Sequence, residues 1–267
     1  MRRLLPVVVL LLLTGSTAPA AQAAPGPLIV VGGGGTTPAI MAKALALAGG
    51  REARVAVLPQ ASELPETGPD SAKMWMEAGA KEARPVAFDD RDAARAIIEH
   101  ATLIWVPGGD QNKFMKAIVG TGLDDLIRER HRSGVAVGGT SAGAAILSQA
   151  MMTGEADLKS LTTGTTELAK GLGLWPQVIV DQHFLKRQRG NRLISAVLDH
   201  PTLVGVGIDE QTAVIVRGST FEVVGASAVV VVDPRQAKSE PSIQGKPVAA
   251  TDLRLSVLRD GMTYRFK

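Results

Sequence analysis

Short apolar runs recur along the chain, and most of them end at a glycine or a proline. Residues 28–31, 54–58, 85–88, 103–106 and 135–137 are apolar or β-branched stretches of strand length. Between them the apolar spacing is helical, which predicts helices over 38–47, 70–80, 91–99, 113–118 and 123–132. Pro38 suits a first helical turn, Gly49-Gly50 a stop, and Asp89-Asp90 an N-cap. Strands alternating with helices predict an α/β fold, a doubly wound and mostly parallel sheet with crossovers on both faces. Ligands of such sheets sit beyond the carboxyl ends of the strands. Residues 107–111 and 138–143 both follow strands, so they are expected to face one crevice.

After the fifth strand the pattern loosens. Residues 151–176 are polar and without a period, and read as a loop with one short helix. A strand over 178–180, a helix over 185–198 and a strand over 204–208 follow. Short β-branched runs at 212–216, 221–224 and 228–232 are split by Arg217-Gly218 and Gly225-Ala226. They predict antiparallel hairpins added at the edge of the sheet near the C-terminus. No repeat and no linker divides 24–267, which reads as one domain.

The first 23 residues have a different composition. Arg2-Arg3 precede an apolar run over 4–13, and Ala21-Gln22-Ala23 offers an A-x-A cleavage site. This is the layout of a secretory signal peptide, with 18–20 as a second cleavage site and an uncleaved anchor as the rival reading. The run is short for a membrane span, so no stable anchor is expected after cleavage and the location is read as secreted or periplasmic. The chain has no cysteine, which removes disulfides, zinc–thiolate sites and a thiol nucleophile. The formal charge of +3 includes Arg2 and Arg3, so loss of the leader leaves +1. That is too little for a nucleic-acid binder, and an aromatic share of 3% offers no stacking platform. No motif calls for a cofactor or a metal.

Candidate chemistry starts at Gly139-Thr140-Ser141-Ala142-Gly143, which fits G-x-S-x-G between a strand and a helix. Such a turn raises a serine hydroxyl above the sheet, and the Ala142 N–H then faces a developing oxyanion. A second N–H is expected from Gly109 in PGGDQ. A serine nucleophile needs a base, and the base needs an orienting partner. His100 ends a helix, His131 lies in the charged run RERHRSG, and His200 precedes Pro201. Only His183 follows a buried strand at the edge where Ser141 lies. The partner acid is Glu210 or Asp209, after VGVGI; Asp181, two residues from His183, is poorly placed. The order Ser, His, acid departs from that of the α/β-hydrolases. Gly32–Gly35 follows the first strand but lacks a clean G-x-G-x-x-G and a Walker lysine, so close packing explains it as well as a nucleotide does.

GGTSAGAA, PGGDQ, DQHF with its trailing arginines, and GIDEQTA together resemble the S51 serine peptidases, from about Leu28 to Val232. The resemblance implies a class I glutamine amidotransferase-like fold with serine in place of cysteine. It implies Ser141 as nucleophile, His183 as base and Glu210 as its partner. It also implies an exopeptidase that cleaves multi-arginyl-polyaspartate to β-aspartyl-arginine dipeptides. Gln111, Asp181, Gln182, Arg187, Arg189 and Arg192 match family positions that contact substrate. Guanidinium groups grip carboxylates, and Asp181 would meet a cation. A homodimer is a further implication. Two rivals stay open: an aspartyl or isoaspartyl dipeptidase acting on short peptides, and a non-catalytic periplasmic binding protein. The 151–176 segment carries no pocket signature that would decide the substrate.

Overall fold

The computed structural model describes residues 24–156 and 158–266; the expected leader lies outside them. The first half runs β1 (Leu28–Val31), α1 (Pro38–Leu47), β2 (Arg54–Val57), α2 (Thr67–Glu77), β3 (Glu82–Pro85), α3 (Arg91–His100), β4 (Leu103–Val106), α4 (Gln111–Ile118), α5 (Leu123–Arg132), β5 (Ala136–Thr140) and α6 (Ala142–Ala145). The second half runs β6 (Ala150–Ala156), β7 (Thr166–Lys170), β8 (Val178–Gln182), α7 (Gly190–Asp199), β9 (Val204–Ile208), β10 (Thr212–Arg217), β11 (Thr220–Gly225) and β12 (Val229–Asp233). It closes with β13 (Lys238–Ser239), β14 (Ala250–Thr251), β15 (Arg254–Leu258) and β16 (Thr263–Arg265).

The main sheet has eight strands in the order β16-β11-β10-β1-β5-β4-β2-β3. β1, β5, β4, β2 and β3 are parallel, and the β10-β11 hairpin joins β1 antiparallel. Alternate side chains of the parallel strands enter two cores. Ile29, Val31, Val55, Val57 and Trp105 pack against Ile40, Met41 and Leu45 of α1 and Trp75 of α2. Val30, Ile104, Val106 and Val137 pack the other way, against Ile98, Phe114 and Ile127 of α3, α4 and α5. A strand buried on both faces must be apolar throughout, which is why these runs do not alternate. The mostly parallel α/β class expected from the pattern is the observed one.

The partition of the later strands differs from the expectation. β8, β9, β12 and β15 form a separate four-stranded sheet in the order β15-β12-β9-β8. Val178, Val180, Val206 and Val231 face the main sheet across the larger core, and Ile179, Val230 and Val232 pack on α7. β12, expected as an edge hairpin, pairs instead with β9, Val229 opposite Ile208. Its four valines are buried on both faces, which only an interior strand between two layers provides. Residues 151–176 are not loop throughout: β6 and β7 pair there as a hairpin, with an irregularity between Met152 and Ala156 that hides the period. The helix expected from 185 begins at Gly190, after a compact turn at 183–189.

Two sheet ends meet where chemistry was expected. Val31 lies opposite Thr140 and Val106 opposite Gly139, so β1, β5 and β4 finish level. Gln182 lies opposite Ile208, so His183 and Asp209 leave the second sheet together. The His183 N–H donates to the Gly32 carbonyl at 2.7 Å, which fastens the second sheet's end to that of β1.

Candidate active site

Ser141 occupies the turn from β5 into α6 with φ 55° and ψ −115°, a conformation that residues with a β-carbon avoid unless their surroundings impose it. Its N–H donates to the Val31 carbonyl at 3.0 Å. Gly143 allows the turn: a β-carbon there would lie 2.0 Å from the Val106 carbonyl oxygen. The Ser141 hydroxyl lies 2.8 Å from His183 Nε2, and His183 Nδ1 lies 2.7 Å from Glu210 Oε1. With the Nδ1 proton donated to the carboxylate, Nε2 is left to accept the serine proton. His183 is itself at φ 49° and Gln211, next to Glu210, at φ 55°. Positive φ thus recurs at or beside all three side chains.

The glycine loop after β1 is the floor of this arrangement. A β-carbon on Gly33, at φ +102°, would lie 2.3 Å from Cε1 of the His183 ring. One on Gly34, at φ +67°, would lie 2.6 Å from Glu210 Cβ. The imidazole and the carboxylate rest on bare backbone. These two glycines are site residues whose one signal in the sequence is the glycine run itself.

Burial lowers the His183 pKa below the ordinary histidine value. The Glu210 carboxylate pulls it back up, while Arg187 and Arg189 push it down. Asp209 does not reach the ring. Its Oδ1 accepts the N–H groups of Leu185 and Lys186, and its Oδ2 accepts the Ser227 hydroxyl. Of the two candidate acids, the structure brings only Glu210 to His183.

The structure places the other expected residues as follows. Ala142 is the first residue of α6, directly after Ser141. Gly108 is the glycine beside Ser141: a β-carbon on it would be 3.4 Å from Ser141 Cβ. Gly109 turns its open side to Ala61, whose carbonyl would lie 2.2 Å from an added β-carbon. Gln111 donates to the Met152 carbonyl at 2.8 Å, and Asn112 to that of Thr153 at 3.1 Å, so α4 holds the β6-β7 hairpin beside the site.

Asp181, Arg189 and Arg192, expected at the substrate, are buried and bonded within the chain. Asp181 has no exposed surface, and both its oxygens are taken by Arg192, at 2.8 Å from Nε and by a second bond from the guanidinium. Arg192 is only 2% exposed. A closed, buried ion pair presents no free face to a ligand, and Arg189 Nη1 stands 3.6 Å from the same carboxylate, so Asp181 is surrounded by guanidinium groups of the chain itself. Arg189 is also buried; it donates to the Gln182 carbonyl at 2.6 Å and to Gln182 Oε1 at 2.5 Å. Burial, then repulsion from Arg192, lowers its pKa to about 10. Of the three arginines, only Arg187 is exposed, and its charge is felt at His183.

A prediction follows for the buried pair. Asp181→Ala leaves a guanidinium buried without its carboxylate, and the expected loss is about 3–5 kcal/mol of stability. Thermal and urea unfolding measure it; a Tm and a midpoint equal to wild type would show that the pair holds nothing.

Among the described residues no three His, Asp or Glu side chains gather as a metal site requires. A cleft of about 420 Å³ between β2, β3 and α3, bordered by Arg54, Ala56, Arg84 and His100, shares no residue with the site.

A serine hydroxyl held against a carboxylate-paired imidazole, at the carboxyl edge of a mostly parallel α/β sheet, defines the class as a serine-type hydrolase. The profile of Peptidase family S51 matches residues 28–224. The chain belongs to that family and is a serine-type peptidase. It is 38% identical over 233 residues to the cyanophycinase of Geminocystis herdmanii, a match covering 82% of this chain and 85% of that one. It is 36% identical over 225 residues to the cyanophycinase of Trichormus variabilis, covering 80% and 76%. Among solved structures, a peptidase from an acI-B1 Actinobacterium superposes with a TM-score of 0.64 at 22% identity, over 92% of this chain and 98% of that one, a likeness of fold.

Proposed function

We propose that the protein is a secreted or periplasmic exopeptidase of the cyanophycinase type, hydrolysing multi-arginyl-polyaspartate to β-aspartyl-arginine dipeptides. The observation that carries the catalytic half is the unbroken chain of contacts from Ser141 Oγ through His183 to Glu210. His183 Nε2 takes the serine proton as Oγ attacks the scissile carbonyl. The N–H groups of Ala142 and Gly109 receive the oxyanion. His183 returns the proton to the leaving amine, and a water then hydrolyses the acyl-enzyme with the same base. Glu210 holds the ring and stabilises the imidazolium. Two observations support the substrate: identity to cyanophycinases over most of the chain, and an exposed Arg187 beside His183 to receive a carboxylate. Secretion rests on the N-terminal composition, in which a basic pair precedes an apolar run and an A-x-A site.

Product analysis tests the substrate. Residues 24–267 are incubated separately with insoluble polymer and with short β-aspartyl peptides, and soluble products are identified by mass. Release of β-aspartyl-arginine from polymer is expected; turnover of the short peptides alone would move the assignment to an isoaspartyl dipeptidase.

The pH dependence has a definite sign. The base must be neutral, and burial disfavours the imidazolium, so the acid limb of kcat/KM is expected below the ordinary histidine pKa of about 6.5. A pH–rate profile on a soluble β-aspartyl substrate reads it. A limb above that value would mean that the Glu210 charge, not burial, dominates the ring.

A further inference from the structure

His183 is gripped by its ring and by its main chain, and the two grips come from adjacent residues. Glu210 takes the ring nitrogen. Asp209, one residue earlier, takes the backbone that follows the ring. We propose that Asp209 is a positioning residue that fixes the turn carrying the His183 imidazole, a role that rests on reading His183 as the base for Ser141.

The turn needs such a hold. His183 sits at φ 49°, where a β-carbon is crowded, and Gln188 at φ 53° bends the same segment a second time. Before the ring, the His183 N–H is fixed to the Gly32 carbonyl. After it, the Phe184 N–H donates to the Ile208 carbonyl at 3.2 Å, and the Phe184 ring covers Gly207, where a β-carbon would lie 2.5 Å from it. The next two amides, Leu185 and Lys186, both donate to Asp209 Oδ1, at 3.1 and 2.9 Å. Oδ2 is occupied as well, by the Ser227 hydroxyl at 2.7 Å. Ser227 is held in turn by its N–H on Thr212 Oγ1, whose hydroxyl donates to the Glu210 carbonyl. Asp209 is only 8% exposed, and both its carboxylate oxygens accept hydrogen bonds from the chain itself. The Asp209-Glu210 dipeptide therefore clamps one histidine at two points, and the clamp is braced through Ser227 to β10.

Misplacing a catalytic group by about 1 Å costs on the order of a hundredfold. Asp209→Ala is expected to lower kcat by about 10- to 100-fold, with KM on a soluble β-aspartyl substrate changed less than about twofold. Asp209→Asn keeps an oxygen for both amides and is expected to recover activity to within about fivefold of wild type. A second readout separates positioning from mere loss of folded protein. A loosened imidazole regains water, so the acid limb of kcat/KM moves up toward the ordinary histidine value in Asp209→Ala and stays in place in Asp209→Asn. The charged groups facing the ring are Glu210, Arg187 and Arg189, and all are retained in these variants. Rates are normalised to the fraction of folded protein, measured by circular dichroism and size-exclusion chromatography.

An unchanged kcat per folded protein, or a limb that does not move, would overturn the proposal. Should Asp209→Ala fail to fold, Ser227→Ala removes the brace alone; a kcat lowered about threefold or more with a raised limb supports the hold, and wild-type behaviour overturns it. His183→Ala is measured alongside. Full activity in that variant would refute the base reading itself, and the two failures are thereby told apart.

Discussion

Replacing Ser141 by alanine is expected to abolish hydrolysis, with kcat/KM falling by roughly 10³- to 10⁶-fold, while the protein stays folded. The size of the effect follows from how little else changes. Alanine keeps the β-carbon, the backbone hydrogen bond to Val31 and the packing beside Gly108. Only the hydroxyl that meets His183 Nε2 at 2.8 Å is lost. The strained φ of 55° is no easier for alanine than for serine, so no large gain or loss in Tm is expected. Circular dichroism and thermal melting check the fold, and product mass checks the rate. Near-wild-type turnover would remove Ser141 from the mechanism.

Gly33→Ala is expected to be almost as damaging, although residue 33 contributes no side chain to the chemistry. The added methyl would lie 2.3 Å from Cε1, 2.5 Å from Nε2 and 2.8 Å from Nδ1 of His183. Contacts that short are not tolerated, so either the ring or the loop must move. The loop is tied down: Gly32 and Gly33 carbonyls accept the N–H groups of His183 and Gln211. The ring is the softer partner, and its displacement breaks the contact with Ser141. Loss of a general base costs about 10²- to 10⁴-fold, and kcat should fall by that order. The left-handed φ of +102° adds a stability loss of about 1 kcal/mol or more. A Gly33→Ala enzyme with wild-type kcat would show that the ring does not rest on this loop.

Much of the site could be read from the sequence because each part has a local signature. G-x-S-x-G marks its own turn, and His183 and Glu210 follow apolar strands that end in polar residues. The alternation of strands and helices over 28–140 likewise fixes a parallel sheet. What stayed hidden depends on long-range pairing. The runs at 178–180, 204–208 and 228–232 look alike whichever sheet they join, and only the pairing of β9 with β12 separates them. Arg187, Arg189 and Arg192 in a polar run look solvated; nothing local says that Arg192 turns inward to a fully buried Asp181. Asp209 and Glu210 are neighbours with the same chemistry. Which of them meets the ring is decided by the tight turn at 183–189, which presents two amides to Asp209.

The central claim is that Ser141, activated by His183, carries the acyl group. Incubation with a serine-directed phosphonate, followed by intact-mass measurement and peptide mapping, tests it most directly. The account predicts one adduct per chain, located on Ser141, and about 10²-fold slower labelling or none in His183→Ala. An adduct on another residue, or equal labelling with and without the imidazole, would contradict it.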